Sequence, residues 1–89
     1  ALSLSKALAA AQAVVKAGER DADTIVSFAR AVLSAESAVR IDYVELRDAV
    51  ELEEIDRLER PAVLAIAAFV GPEGKKTRLI DNLSFERPV

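Results

Sequence analysis

Hydrophobic residues in the first third of the chain recur at the three- and four-residue spacing of an amphipathic α-helix. This stripe predicts a helix over residues 2–17, with Ser3 or Ser5 as its N-cap and Gly18 as its left-handed C-cap. The residues of the stripe are Leu4, Ala7, Leu8, Ala11, Val14 and Val15.

A second apolar stripe predicts a helix over about residues 23–36, capped by Asp21 or Asp23. Only the short linker of residues 18–20 separates the two helices, so we expect them to pack as an antiparallel hairpin. The residues of this stripe are Ile25, Phe28, Ala29, Val32 and Leu33.

The hydrophobic spacing then changes to the alternation of a β-strand. Val39, Ile41 and Tyr43 share one parity, whereas Val44 and Leu46 have the other. This slip after Tyr43 predicts either a β-bulge or a strand that is partly covered on both faces.

An acidic, irregular segment follows over residues 48–60, and Leu52, Ile55 and Leu58 are its expected anchors. After Pro61, nine consecutive apolar residues at positions 62–70 predict a central strand buried on both faces. A glycine- and proline-containing turn at 71–74 leads to a third strand over residues 77–85 and predicts a hairpin. In the third strand, Leu79, Leu83 and Phe85 are expected on one face, and Arg78, Ile80 and Asn82 on the other.

Together these elements predict one α+β domain over residues 1–89, with a short tail at 87–89. A two-helix hairpin packs on a small, three-stranded, mainly antiparallel sheet. Two helices cover only one face of such a sheet, yet the central strand is apolar on both. We therefore expect another surface to cover the second face: a neighbouring domain, a second copy of the chain, or the segment 48–60 folded back.

Composition removes several function classes. The chain has 12 Lys and Arg against 15 Asp and Glu, and its basic residues are scattered, so we expect no nucleic-acid partner. No apolar run is long enough to cross a membrane. Cys and His are absent, which removes thiol nucleophiles, the usual general base and structural zinc sites. The lack of Cys fits a cytoplasmic protein.

Two segments carry residue types that bind phosphate or cations. The segment 71–77 is similar to a phosphate loop, but only two residues separate its first two glycines and a strand follows, so we interpret it as a hairpin turn. The second segment is acidic and offers oxygen ligands for Mg²⁺ or Ca²⁺, but it lacks the spacing of a calcium loop. We interpret its carboxylates, Glu51, Glu53, Glu54 and Asp56, as a solvated loop paired with Arg47, Arg57 and Arg60.

Carboxylates on the predicted strands, Asp42, Glu45 and Asp81, would serve as general acid and base if one were desolvated, but polar strand positions usually face water. Arg78 either pairs with a carboxylate across a domain boundary, or it joins Asp81 and Asn82 in local strand and turn hydrogen bonds. Tyr43 is more often a strand-face core residue than a catalytic acid. We predict no catalytic, cofactor-binding or metal-binding residue in the chain.

Several segments are similar to one known family. They lie, in order, at residues 41–46, 56–62, 69–71 and 77–82, and the last reads Thr-Arg-Leu-Ile-Asp-Asn. Residues 1–8 are similar to the start of the first helix in the same domain. Over nearly all 89 residues the chain resembles the C-terminal domain of the pantoate–β-alanine ligase family. Its turn at 71–76 is slightly longer than the usual hairpin of that family.

The resemblance implies an enzyme that joins pantoate to β-alanine through a pantoyl-adenylate, using ATP and Mg²⁺. It also implies that a Rossmann-like N-terminal domain holds the chemistry, with a His-containing phosphate motif and a Ser-Ser-Arg-Asn segment. Neither motif occurs in this chain, so no catalytic residue of the family is assigned here. We expect the isolated C-terminal lid domain, inactive alone, with that N-terminal domain as its partner.

Two alternatives remain open. In the first, the chain is a self-associating structural module whose exposed sheet face pairs with a second copy. In the second, the carboxylates Asp42, Glu45 and Asp81 form the site of a free-standing enzyme.

Overall fold

A computed structural model describes the backbone of residues 2–85 and the side chains of residues 3–85, so the expected tail at 87–89 lies outside the described residues. The strands form one antiparallel sheet in the order β1-β2-β3, and the two helices pack against each other on one of its faces. This confirms the predicted α+β arrangement. The elements are α1 (Leu2–Lys16), α2 (Ala22–Ser34), β1 (Val39–Asp48), β2 (Ala62–Val70) and β3 (Thr77–Phe85).

Helix α1 ends at the predicted glycine. Gly18 has a φ of 112°, and its amide donates to the Val15 carbonyl at 3.0 Å while the Glu19 amide donates to Val14 at 2.9 Å. These two bonds make a Schellman motif, in which a left-handed residue satisfies the last carbonyls of a helix. The predicted C-cap is therefore confirmed.

The predicted N-cap of α1 is wrong. Ser3 and Ser5 both lie inside the helix, which already includes Leu2 and has no acidic residue in its first turn. The apolar stripe of the helix already meets the core at Leu4, which lies between the two serines and is only 1% exposed.

Helix α2 begins at one of the predicted caps. The carboxylate of Asp21 accepts hydrogen bonds from the amide and the hydroxyl of Thr24, at 3.0 and 2.9 Å. Asp23 adds negative charge near the positive end of the helix dipole. The helix starts and ends slightly earlier than the predicted range of 23–36.

Strand β1 contains a bulge at Asp42. Ile41 lies opposite Ala68, and Tyr43 lies opposite the adjacent Ala67, so Asp42 is the extra residue. The bulge is confirmed, but it precedes Tyr43 and does not follow it. Tyr43 therefore shares the face of the sheet that carries Glu45, and the expectation that it lies with Ile41 is wrong.

The helices cover what we call the inner face of the sheet. The core between them is almost entirely aliphatic, with Phe85 as its one aromatic member among the described buried residues. Burial of one such side chain stabilises the fold by about 1.5–3 kcal/mol. The largest fully buried side chains are Leu4, Ile25, Leu33, Leu58, Leu64 and Ile66.

The irregular segment between β1 and β2 packs against the connection between the helices. The Leu58 amide donates to the Arg20 carbonyl at 2.7 Å, and the Ala22 amide donates to Asp56 at 2.9 Å. Leu58 is buried and Ile55 packs on the core, as predicted. Leu52 is not an anchor: a tight turn gives it a φ of 59° and leaves it 60% exposed.

Candidate functional site

The opposite face of the sheet, which we call the outer face, has no helix or loop of residues 2–85 packed over it. Alternate residues of β2 form its middle row, and the register places their neighbours on β1 and β3. The segment 48–60 leaves most of it open, since that segment packs beside the helices and meets the sheet only at the edge of β1, where Glu54 pairs with Arg47. The middle row is Val63, Ala65, Ala67 and Phe69, with Arg47, Glu45, Tyr43 and Arg40 on β1 and Ser84, Asn82, Ile80 and Arg78 on β3.

The middle of the outer face carries the small side chains of Ala65 and Ala67. Tyr43 and Ile80 lie on either side of Ala67, which they leave with no exposed surface. Ile80 itself is 59% exposed. The prediction of a central strand that is apolar on both faces, with one face needing cover, agrees with this geometry.

One end of the outer face carries two arginines. The Arg40 guanidinium lies over the Phe69 ring, 5.2 Å from its centroid, which is the geometry of a cation–π contact. Arg78 reaches across β2, and its Nε donates to Oδ2 of Asp42 at 3.0 Å. Because both partners of that pair are well exposed, it contributes no more than about 1 kcal/mol to stability.

The other end of the outer face is closed by an ion-pair cluster around Arg47. Its guanidinium donates to both carboxylate oxygens of Glu45, at 3.2 and 3.1 Å, and lies 3.6 Å from Glu54. The hydrogen bond from Arg47 to Glu45 raises the pKa of Arg47. Desolvation lowers this pKa by less than the hydrogen bond raises it, and the negative charges of Glu45 and Glu54 raise it further. Arg47 is therefore a permanent cation that holds the acidic segment to the strand.

The strand carboxylates do not converge. Asp42 is engaged with Arg78 and Glu45 with Arg47, both on the outer face. Asp81 lies on the inner face of β3, opposite Ile66, and its carboxylate accepts from the Asn82 amide at 2.8 Å. General acid–base catalysis needs two groups aimed at one reacting atom, and this arrangement does not provide them.

The glycine-containing segment is a hairpin turn in which two amides are already in use. The Gly71 amide donates to the Ala38 carbonyl at 3.1 Å, and the Lys75 amide donates to Pro72 at 3.0 Å. A phosphate loop needs such amides free to face the phosphate. The segment therefore does not fit ATP.

The acidic segment does not fit Mg²⁺ either. Within residues 2–85, no group of three Asp, Glu, His or Cys side chains is placed to hold a metal ion. Glu54 faces Arg47, and the Asp56 carbonyl is bonded to α2. We therefore derive no step of a reaction through ATP or Mg²⁺ on this chain.

Two concavities lie among residues 2–85: one is small, and the other is formed within a single loop. A cleft of about 140 Å³ lies between α2, β1 and Ile55, well below the ~300–1,000 Å³ of typical small-molecule sites. A second concavity of about 440 Å³ is lined only by residues of the segment 54–60, so it is a fold in one loop. Neither described helix is long and apolar enough to cross a bilayer.

Asp48 is a residue that the sequence analysis missed. It is 3% exposed, its carboxylate accepts from the Val50 amide at 2.9 Å, and Arg60 lies 4.0 Å away. An aspartate that bonds to the amide two residues later is typical of an Asx turn, so its position at the start of an irregular segment was the available signal. Its role is structural, since it organises the turn after β1.

Comparison with known proteins gives a consistent result. The sequence profile described as Pantoate-beta-alanine ligase matches residues 1–84. The chain is 49% identical over 82 residues to the pantothenate synthetase of Syntrophobacter fumaroxidans, a match that covers 92% of this chain and 28% of that protein. It is 35% identical to the enzyme of Ruminiclostridium cellulolyticum over 85 residues, covering 96% of the chain and 29% of the relative. For the Pelotomaculum thermopropionicum enzyme the identity is 43% over 82 residues, with 92% and 28% covered.

The chain thus spans less than a third of the length of these relatives. The matched portion includes both helices and the three strands except Phe85, the last residue of β3. The profile match and these relatives agree, and the chain belongs to the pantoate–β-alanine ligase family.

Proposed function

We propose that this chain is the C-terminal lid domain of a pantothenate synthetase, the ligase that condenses pantoate with β-alanine through a pantoyl-adenylate. The observation that carries the proposal is the family match over residues 1–84, together with a relative of which the matched stretch makes up only 28%. The separate positions of Asp42, Glu45 and Asp81 support it, because carboxylates that do not converge on one atom fit a domain that contributes a surface to the site of a larger enzyme. We place this function in the cytoplasm.

A lid contributes to catalysis by positioning and by excluding water. A reactive acyl-adenylate is hydrolysed by water, so closure of a rigid apolar surface over it protects the intermediate and strengthens polar interactions inside the site. The central strand β2 is hydrogen-bonded on both sides and backed by the aliphatic core, which makes it a stiff wall. ATP and Mg²⁺ would be held by the larger part of the protein.

The proposal is tested with two proteins: the 89-residue chain and the full-length protein that contains it. Each is incubated with ATP, Mg²⁺, pantoate and β-alanine, and pantothenate is quantified by mass spectrometry. We expect turnover by the full-length protein and none by the chain alone. A full-length protein that is folded but makes no pantothenate refutes the assigned reaction, and turnover by the purified chain alone refutes the lid role.

The exposed outer face also supports the alternative of a self-associating module. Two copies would bury their outer faces against each other about a two-fold axis. Light scattering of the 89-residue chain decides this point: a mass that stays at one chain over the accessible concentrations counts against the alternative.

A further inference from the structure

We propose that the free edge of β3 is a strand-pairing surface for a second copy of the chain, and that Asp81 keeps this surface closed. A sheet of three strands has two edges, and each presents N–H and C=O groups with which a further strand can pair. The inference concerns the chain itself and its test needs no enzyme activity, so its failure would leave the proposed ligase function unaffected.

The two edges of the sheet differ in their protection. The edge of β1 is interrupted by the bulge at Asp42, and further along it is bridged by Glu54, which lies antiparallel to Arg47. Strand β3 pairs with β2 without a bulge over its whole length, and within the described part of the chain no backbone hydrogen bond joins it to an element outside the sheet. Bulges and covering segments are common protections of an edge, so β3 depends on its side chains.

The backbone bonds of β2 show which groups of β3 face the free edge. At the two ends of β2, the Pro61 carbonyl accepts from the Ala49 amide, and the Gly71 amide donates to the Ala38 carbonyl. Backbone groups alternate in direction along a strand, so the odd-numbered residues of β2 face β1 and the even-numbered ones face β3. The register between β2 and β3 then directs the even-numbered residues of β3 to the free edge.

Asp81 acts on this edge through a hydrogen bond and through its charge. Its carboxylate accepts from the Asn82 amide at 2.8 Å, and that amide is one of those directed to the free edge. An incoming strand would have to break this bond to pair there. The Asp81 side chain also lies half-buried on the inner face of the sheet, and an inward-pointing charge on an edge strand opposes the addition of another strand.

The position of Asp81 identifies a second copy as the occupant. Asp81 is the middle residue of β3, which runs from Thr77 to Phe85. When two copies pair antiparallel along the whole strand, Thr77 of one lies opposite Phe85 of the other, and the two Asp81 residues meet at the two-fold axis. Their backbone groups face away from each other, so they form the closer type of pair, with Cα atoms about 4.5 Å apart. Like charges directly opposite are destabilising, and a charge at this position meets itself only in self-pairing.

The first test measures self-association of the 89-residue chain by sedimentation equilibrium. We expect Asp81→Ala to lower the dissociation constant of the dimer by about tenfold or more, because it removes both the charge and the bond to Asn82. Asp81→Asn removes the charge and keeps an acceptor, so it should have a smaller effect in the same direction. Asp81→Glu keeps a charge at the axis and should leave the dissociation constant unchanged. Glu51→Ala is the control, since it removes one negative charge from an exposed position in the turn after β1.

The second test locates the interface with engineered cysteines, because the chain has none of its own. Asp81→Cys places two thiols opposite each other at the two-fold axis, and we expect a disulfide-linked dimer under mild oxidation. The control adds Ser84→Cys to the Asp81→Ala chain, since Ser84 lies on the same strand but far from the axis, and it should not cross-link. Pairing through the outer faces would not join thiols at position 81, which lies on the inner face.

Circular dichroism establishes that each variant is folded, and Asp81→Asn carries the first test if Asp81→Ala does not fold. The inference is overturned if folded Asp81→Ala and Asp81→Asn have the dissociation constant of the unsubstituted chain, or if Glu51→Ala lowers it as much as they do. It is also overturned if the cysteine at position 84 cross-links and the one at position 81 does not.

Discussion

At the residue scale, Asp48 organises the start of the irregular segment between β1 and β2. Its carboxylate is buried at the end of β1, where it accepts from the Val50 amide and faces Arg60. Its backbone is also engaged on both sides, with the amide bonded to Glu53 at 2.9 Å and the carbonyl to Leu52 at 2.8 Å. The side chain and the backbone of Asp48 therefore hold the turn with which the segment 49–61 begins.

Replacement of Asp48 by Ala should lower the free energy of unfolding by about 1–3 kcal/mol, because a charge-assisted hydrogen bond is lost and Arg60 loses its partner. Urea denaturation of the 89-residue chain, followed by circular dichroism, measures this. Glu53→Ala is the control, since that side chain is exposed in the same turn, and it should change stability by less than about 0.5 kcal/mol. Equal effects of the two substitutions would contradict the role given to Asp48.

At the scale of the elements, the two helices begin in different ways. Helix α2 has Asp21 as its cap and Asp23 in its first turn, whereas the first turn of α1 has no acidic residue. The unpaired amides of a first turn carry partial positive charge, which a nearby carboxylate stabilises. A carboxylate added to the first turn of α1 should therefore stabilise that helix, as Asp23 stabilises α2.

Ser3→Glu should raise the free energy of unfolding by about 0.3–1 kcal/mol, because it places a negative charge in the first turn of α1. The matched control is Gln12→Glu, which makes an acidic residue at an exposed position in the middle of the same helix. Thermal melts at low and high salt separate the two, since the dipole effect is screened by ions. An increase of the same size for both variants would show that the dipole is not its cause.

The elements also differ in how well the sequence predicts them. Strands β2 and β3 have the predicted bounds, because an unbroken apolar run and a turn with two glycines leave little freedom. The bulge in β1 was predicted from the phase slip, but a slip does not tell which residue is extra. Asp42 is accommodated there because its carboxylate meets Arg78, a contact between residues 36 positions apart.

For the whole molecule, the uncovered outer face limits stability. A chain of this size buries only about 60–65% of its unfolded surface, and here one face of the sheet contributes little. Docking onto a larger body would bury further surface of the folded state but not of the unfolded state. A partner that binds only the folded state raises the free energy of unfolding.

We therefore expect the 89-residue chain to melt below the temperature at which the same domain melts in the full-length protein. Each kcal/mol gained on docking corresponds to roughly 4–8 °C for a domain of this size. Differential scanning calorimetry of both proteins gives the comparison. Identical melting temperatures for the unsubstituted domain in both settings would contradict it.

The candidate site was predictable only in part at this scale. The double-sided apolar pattern of residues 62–70 is enough to expect an uncovered face, because two helices cannot cover both. The stacking of Arg40 on Phe69 was not predictable, since it depends on the register between β1 and β2 on the far side of the bulge. Asp81 shows the same limit: its side of the sheet follows from pairing with Ile66.

The contacts of Lys76 separate the sheet from its hairpin tip. Its ammonium donates to the Ala38 and Gly71 carbonyls at 3.3 and 2.9 Å, and the Gly71 amide also donates to Ala38. Residues 72–75 lie beyond this clamp and are all exposed. Because these contacts close the hairpin below its tip, we expect the pairing of β2 with β3 to tolerate a change in the number of tip residues. The tip is therefore a site where a peptide tag or a fluorophore-bearing loop should be accepted without a change of fold.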